Sequence, residues 1–187
     1  MSSNIRAFLS IDIDDETLLS RISHIQSGLD REAAKIKLVE HDNIHFTLRF
    51  LGDTPSTKIE KIREEFANAE FDAFTIRIKG VGAFPNIRRP RVIWVGVAEN
   101  ADKVTHLKLL ADDLLGNLGY PRDKKFHAHA TIARVRAVRN RDRIINNLES
   151  LANEAIGTMT VDCFRMTKSI LTSSGPIYET LWEVGAS

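Results

Sequence analysis

Two four-residue stretches carry the same pattern, His45-Phe46-Thr47-Leu48 and His129-Ala130-Thr131-Ile132: a histidine, one residue, a threonine, then an aliphatic residue. Both lie in runs that read as β-strand, NIHFTLRFLG over 43–52 and HAHATIARVR over 127–136. Side chains alternate along a strand, so positions i and i+2 share a face. His45 and Thr47 therefore point one way while Phe46 and Leu48 point into a core. His129 and Thr131 pair likewise in front of Ala130 and Ile132. An imidazole gives or takes a proton near neutral pH. A threonine hydroxyl donates a hydrogen bond to an anionic oxygen, and its β-branch keeps it stiff. Two such pairs across a cleft would supply a general acid, a general base and two oxyanion donors. Metal-free cleavage of a phosphate ester can use that set.

By chance, a threonine at i+2 and an aliphatic residue at i+3 should follow roughly 2% of histidines. Two occurrences among the six histidines of this chain is then an event of roughly 1%. A single motif would be read as a half-buried histidine bonded within a sheet. The second copy, 129 − 45 = 84 residues on, makes the pair two halves of one site. Parity and spacing treat the two histidines alike and leave acid and base unassigned.

The elements that must hold these strands follow from periodicity. IRAFLSIDI reads as a strand. DDETLLSRISHIQSGLDRE reads as a helix, with acidic residues first and Leu18, Leu19, Ile22 and Ile25 at helical spacing. KLVEHDNIHFTLRFLG holds strand residues, and TPSTKIEKIREEFANAE is an amphipathic helix on Ile59, Ile62 and Phe66. FDAFTIRIKGVGAF and RVIWVGVA are strands joined by the polar turn PNIRRP. ADKVTHLKLLADDLLGNLG is a long helix ending at Gly119. The strand FHAHATIARV follows, then a helix NRDRIINNLESLANEAI and two last strands, TMTVDCFRMTKSIL and YETLWEVG, around the turn TSSGPI. Each half thus carries a helix, a motif strand, another helix and paired strands. The expected fold is α+β: two similar lobes of mostly antiparallel sheet with outer helices.

A chain of 187 residues with 43% hydrophobic content suits one domain with a substantial core. The formal net charge of +1 argues neither for nor against a polyanionic partner, so local clusters must carry that argument. The one cysteine, Cys163, rules out an internal disulfide and fits a reducing cytosol; its strand-like neighbours TVDCFRMT suit a structural thiol. The opening MSSNIRAFLSIDID is too short and too charged, at Arg6 and Asp12, for a signal peptide. No run reaches the roughly 18 apolar residues of a membrane span. A soluble, cytoplasmic protein without a membrane partner is expected. Neither a GxxxxGK[ST] loop nor a GxGxxG turn signals an ATP or dinucleotide site.

HFTLRFLGD and HATIARV, with RAFLSIDID at the start and RPRVIWVGV between, resemble the two-histidine (2H) phosphoesterases. Within that family the resemblance is to the RNA 2′,3′-cyclic phosphodiesterases, also called 2′-5′ RNA ligases, of bacteria and archaea, and it spans nearly the whole chain. It implies a single bilobal domain over residues 1–187 with pseudo-twofold symmetry and a central cleft lined by both motifs. It also implies metal-independent, cofactor-free opening of a 2′,3′-cyclic phosphate to a 2′-phosphate end, with reversible 2′-5′ ligation in some members. The partner implied is an RNA end such as that of tRNA halves, acted on by a monomer. Carried over by motif, His45 is the proton donor to the departing 3′ oxygen and His129 the proton acceptor from water. Thr47, Thr131 and Arg134 bind the phosphate. Phe8 resembles the family's N-terminal strand aromatic, and Tyr178 matches a recurrent family position. The same motifs serve relatives acting on 2′-5′ oligoadenylate or cyclic ADP-ribose phosphate. A non-catalytic module that only holds an RNA end is the rival of another class, and the intact histidines and threonines count against it.

Strand parity sets one conflict. Arg134 stands five residues after His129, so a regular strand turns it to the opposite face unless a bulge intervenes. Arg49 has the parity of His45 and Thr47 and is a second phosphate-binding candidate. Arg88, Arg89 and Arg91 cluster around a proline beside Phe84; arginines bind phosphate and an aromatic stacks a base, though a solvated loop is the plainer account. Five arginines in RVRAVRNRDR could guide RNA by counterion release. His127, two before His129, invites a zinc reading. Such a site needs about three protein ligands, and beyond His45 no carboxylate or cysteine has a comparable claim, so no metal is expected.

Overall fold

The computed structural model describes residues 3–123 and 125–187; Met1, Ser2 and Lys124 lie outside them. The chain runs β1 (Asn4–Asp12), α1 (Glu16–Ser27), β2 (Ala34–Leu38), a 3-10 turn (His41–Asn43), β3 (His45–Pro55), α2 (Ser56–Phe66), β4 (Phe74–Phe84), β5 (Val92–Glu99), α3 (Ala101–Gly116), β6 (His129–Val138), α4 (Arg141–Leu151), β7 (Ala155–Val161), β8 (Cys163–Thr172) and β9 (Gly175–Gly185). The architecture is α+β, and every strand pairing is antiparallel.

Helices form where apolar residues recur at helical spacing, and at α1 and α4 a side chain caps the first turn. The Asp15 carboxylate accepts from the Leu18 amide at 2.9 Å and starts α1, which buries Leu18, Leu19, Ile22 and Ile25. Asn140 caps α4 by accepting from the Arg143 amide at 3.1 Å. Burying such an aliphatic side chain contributes about 1.5–3 kcal/mol before entropy is counted.

The sheet order is β9-β8-β1-β3-β6-β5-β4-β7. Its centre is the pair of motif strands, and they join through one residue pair, Phe46 with Ala130. The two expected sheets are therefore one sheet with a narrow seam, four strands to each side. Beyond that pair, β2 takes over the same edge of β6, from Leu38 opposite Ala133 to Ala34 opposite Val138. The helices cross the seam. α2 and α3 cover β3, whereas α1 packs on β6 and β7 and α4 on β4.

Two sequence expectations fail locally. Ala155 and Ile156, read as the end of a helix, begin β7, and TMTVDCFRMTKSIL is two strands divided at Asp162. Ile156 follows Leu148 and Ala152 at helical spacing, but the chain turns after Leu151 and pairs with β4 instead. α3 stops at Gly116, and Gly119 closes the turn behind it with φ +86°. Among the described residues, no helix is long and apolar enough to cross a membrane.

Candidate active site

The two motif strands share a backbone irregularity. Along β3, Thr47 pairs with Ser10 and Arg49 with Leu9, leaving Leu48 as an extra residue. Along β6, Thr131 pairs with Trp94 and Ala133 with Ile93, leaving Ile132 extra. Each is a bulge at the third residue after the histidine. Each buries two consecutive side chains, Leu48 with Arg49 and Ile132 with Ala133. Beyond the bulge the alternation is inverted. The residue five after the histidine now faces the cleft: Phe50 on β3 and Arg134 on β6. The parity conflict at Arg134 has this physical answer.

The same bulge removes Arg49 from the cleft, contrary to the parity expectation. Arg49 is 6% exposed, and its guanidinium meets an ionic cluster around the buried Lys108 and Asp112. It lies 3.1 Å from Asp112 and 3.4 Å from Asp123 and donates to the Pro121 carbonyl at 2.6 Å; Lys108 bridges the two carboxylates at 2.8 and 2.7 Å. Arg49 thus ties the first motif strand to the segment leading into the second.

Both histidines are held by the carbonyl two residues earlier. His45 Nδ1 donates to the Asn43 carbonyl at 2.7 Å, and His129 Nδ1 donates to the His127 carbonyl at 2.6 Å. A carbonyl can only accept, so both Nδ1 atoms carry a proton and both Nε2 atoms are left for chemistry. His45 Nε2 lies 2.9 Å from Thr47 Oγ1. Among the described residues, His129 Nε2 has no such partner. Phe8 stacks on His45 with centroids 4.9 Å apart, and Tyr178 stands edge-on to both rings. Phe84 meets His129 edge-on at 4.8 Å, with Trp94 and His127 packed beside them.

Burial holds His45 below the ordinary imidazole value; the Asn43 bond and the Asp12 charge offset this, and Arg134 and His129 add to it. Burial likewise holds His129 low, offset by its bond to His127 and reinforced by the His127 ring. Burial raises the Tyr178 hydroxyl, against the charges of Arg134 and Arg6. Arg134 springs from the second motif strand, yet its charge acts on the first histidine.

His45, Thr47, His129, Thr131, Arg134, Phe8 and Tyr178 line one cleft of about 480 Å³. Arg136, from the arginine-rich stretch after the second motif, lines it too, as do Arg6, Lys37, Asn43 and Phe50, which sequence reasoning missed. Asn43 and Phe50 had a signal: they stand at motif-relative positions −2 and +5. Phe84 and Arg91 are not on the cleft wall. Phe84 backs His129, and Arg91 lines a neighbouring basic cavity. Cys163 is half-buried on β8, its thiol pushed up by burial. No group of three or more His, Cys, Asp or Glu side chains is gathered to hold a metal among the described residues.

The sequence matches the family described as LigT like Phosphoesterase twice, over residues 11–94 and 95–178. The chain belongs to this 2H phosphoesterase family. The two matched spans are offset by 95 − 11 = 84 residues, the separation of the histidines, so each motif stands equally far into its span. Relatives match end to end. An RNA 2′,3′-cyclic phosphodiesterase of Archaeoglobus fulgidus is 38% identical, covering 95% of this chain and 98% of its own. One of Aeropyrum pernix is 34% identical, covering 91% and 97%. Solved structures share the fold. A Thermus thermophilus protein superposes with TM-score 0.80 at 23% identity, covering 97% of each chain. Escherichia coli LigT complexed with 3′-AMP superposes with TM-score 0.78 at 22% identity, covering 98% and 99%.

Proposed function

We propose that this phosphoesterase hydrolyses the 2′,3′-cyclic phosphate end of RNA to a 2′-phosphomonoester. The observation that carries the reading is the pair of imidazoles facing one cleft, each with Nδ1 committed to a carbonyl and Nε2 presented between Thr47, Thr131 and Arg134. One Nε2 takes a proton from water as the water oxygen bonds to phosphorus. The other Nε2–H gives its proton to the departing 3′ oxygen, and the phosphate stays on the 2′ oxygen. Thr47, Thr131 and Arg134 hold the non-bridging oxygens as charge develops.

His45 is the acid and His129 the base in this reading. Asp12, which favours the charged imidazole, acts on His45, and no carboxylate is among the causes that shift His129. The exposed Phe50 ring at the cleft mouth, with Arg6 over it at 4.9 Å, suits a nucleobase. The names of the relatives, RNA 2′,3′-cyclic phosphodiesterases matched over nearly their whole length, support the substrate class. A cytoplasmic monomer of one two-lobed domain, meeting RNA ends such as tRNA halves, completes the proposal. One unpaired cysteine and a single buried cluster spanning both halves support it. Turnover of a 2′,3′-cyclic mononucleotide in the presence of EDTA, with product read by phosphorus NMR, tests the reading. A 2′-phosphate product is expected; no turnover, or a 3′-phosphate product, overturns it.

A further inference from the structure

Beside the cleft lies a second cavity of about 410 Å³ lined by Arg88, Arg89, Arg91, Arg136, Arg139 and Arg141. Arg136 lines both cavities, so they adjoin at β6. The two arginine-bearing segments are tied to the site by backbone bonds. The Arg91 amide donates to the Phe84 carbonyl at 2.8 Å, and Phe84 backs His129. The Val135 amide, next to Arg134, donates to the Arg91 carbonyl at 2.9 Å. The Asn86 carboxamide accepts from the Arg88 and Arg89 amides at 3.0 and 3.1 Å and holds the turn.

The six guanidinium groups form no ion pair with a carboxylate among the described residues. Arg143, in the first turn of α4, is by contrast tied to Asp30 at 2.8 Å and to Glu32. In a chain of net charge +1, this is a local excess of positive charge rather than a share of a general one. Among the described residues no aromatic side chain lines the cavity, so it offers bases no stacking platform. Its chemistry is that of a phosphate-backbone site, blind to base identity.

We infer that this arginine cavity binds the phosphodiester backbone of the RNA strand whose cyclic end occupies the cleft, so that the protein selects a polynucleotide over a nucleotide. The inference rests on the function proposed above. The strand leaves the cleft past Arg134 and Arg136, and its upstream phosphates meet Arg88, Arg89 and Arg139. Turnover of a cyclic mononucleotide does not use this cavity.

The test compares the full-length protein with an Arg88→Ala, Arg89→Ala, Arg139→Ala variant on a 2′,3′-cyclic mononucleotide and on an RNA oligonucleotide with the same end. The variant is expected to keep mononucleotide kcat/KM and to raise oligonucleotide KM about tenfold or more. The log–log dependence of oligonucleotide kcat/KM on salt should flatten by about two, since each single-strand phosphate left without its arginine lowers the slope by about 0.7. An unchanged oligonucleotide KM overturns the inference, as does an equal loss on both substrates. Fluorescence anisotropy with a labelled oligonucleotide ending in a 2′-phosphate reads the cavity without turnover. Tenfold weaker binding by the variant supports the inference, and equal binding overturns it. A wild-type protein inert on both substrates would instead sink the proposed function and leave the anisotropy result to decide this one.

Discussion

Asp12 stands across the strand pair from His45, and Gly96 stands across from His129. Those two positions are 84 residues apart, like the histidines, the bulges and the matched halves. The backbone is therefore duplicated while the side chains around it are not. The first histidine has a carboxylate opposite, a stacked phenylalanine and its own threonine on Nε2. The second has a glycine opposite, a phenylalanine edge and, among the described residues, no partner on Nε2. Repeated main-chain geometry fixes the tautomer and aim of both imidazoles. In the proposed reaction, unequal neighbours divide the labour between them.

The largest test of that division is to remove each imidazole. His45→Ala and His129→Ala should each lower kcat/KM by about 10²–10⁴-fold. One variant near wild-type activity would break the two-proton account. The threonines come next. Thr47→Val and Thr131→Val should each cost on the order of 10²-fold in kcat through the lost oxyanion donor. Only Thr47→Val should also displace the pH profile, because only Thr47 bonds a histidine Nε2.

The arginines at positions +4 and +5 sharpen the contrast between the strands. Arg134→Ala should weaken kcat/KM roughly tenfold to a hundredfold and leave the melting temperature in place. Arg49→Ala should destabilise the fold by about 3 kcal/mol, since it strips a partner from the buried Asp112 carboxylate, as read by denaturant unfolding.

The smallest effects are in pH. With both imidazoles held low, the bell in kcat/KM should centre on the acid side of about 6.5. Asp12→Asn removes a charge that favours protonated His45. It should move the alkaline limb toward acid if His45 is the acid; movement of the acid limb instead would reverse the roles. Folding carries the same signature. The unfolded chain binds more protons at these positions, so stability falls as pH drops below about 6.5, and a His45→Gln, His129→Gln variant should flatten that loss.

How much of this was legible in sequence depended on whether alternation held. Thr47 and Thr131 were placed correctly because the strands are regular up to that point. Parity sent Arg49 to the cleft and Arg134 away from it, the reverse of what the structure shows, and only the family resemblance put Arg134 on the cleft, because a bulge is a main-chain event that leaves the residue order unchanged. Two consecutive buried positions in each strand are its only trace, and Leu48-Arg49 hides even that behind an ion pair. The arginine cavity was divided in sequence between residues 88–91 and 136–141, and only the pairing of β5 with β6 brings those segments together.

The helices that cross the seam have a consequence of their own. α1 lies over strands of the second half and α3 over a strand of the first. This is the topology of a swapped dimer written into a single polypeptide. Cut between β4 and β5, each fragment would be left with an uncovered apolar face and half an active site. Two separately produced fragments should thus gain structure and activity together, by complementation, and neither should have them alone.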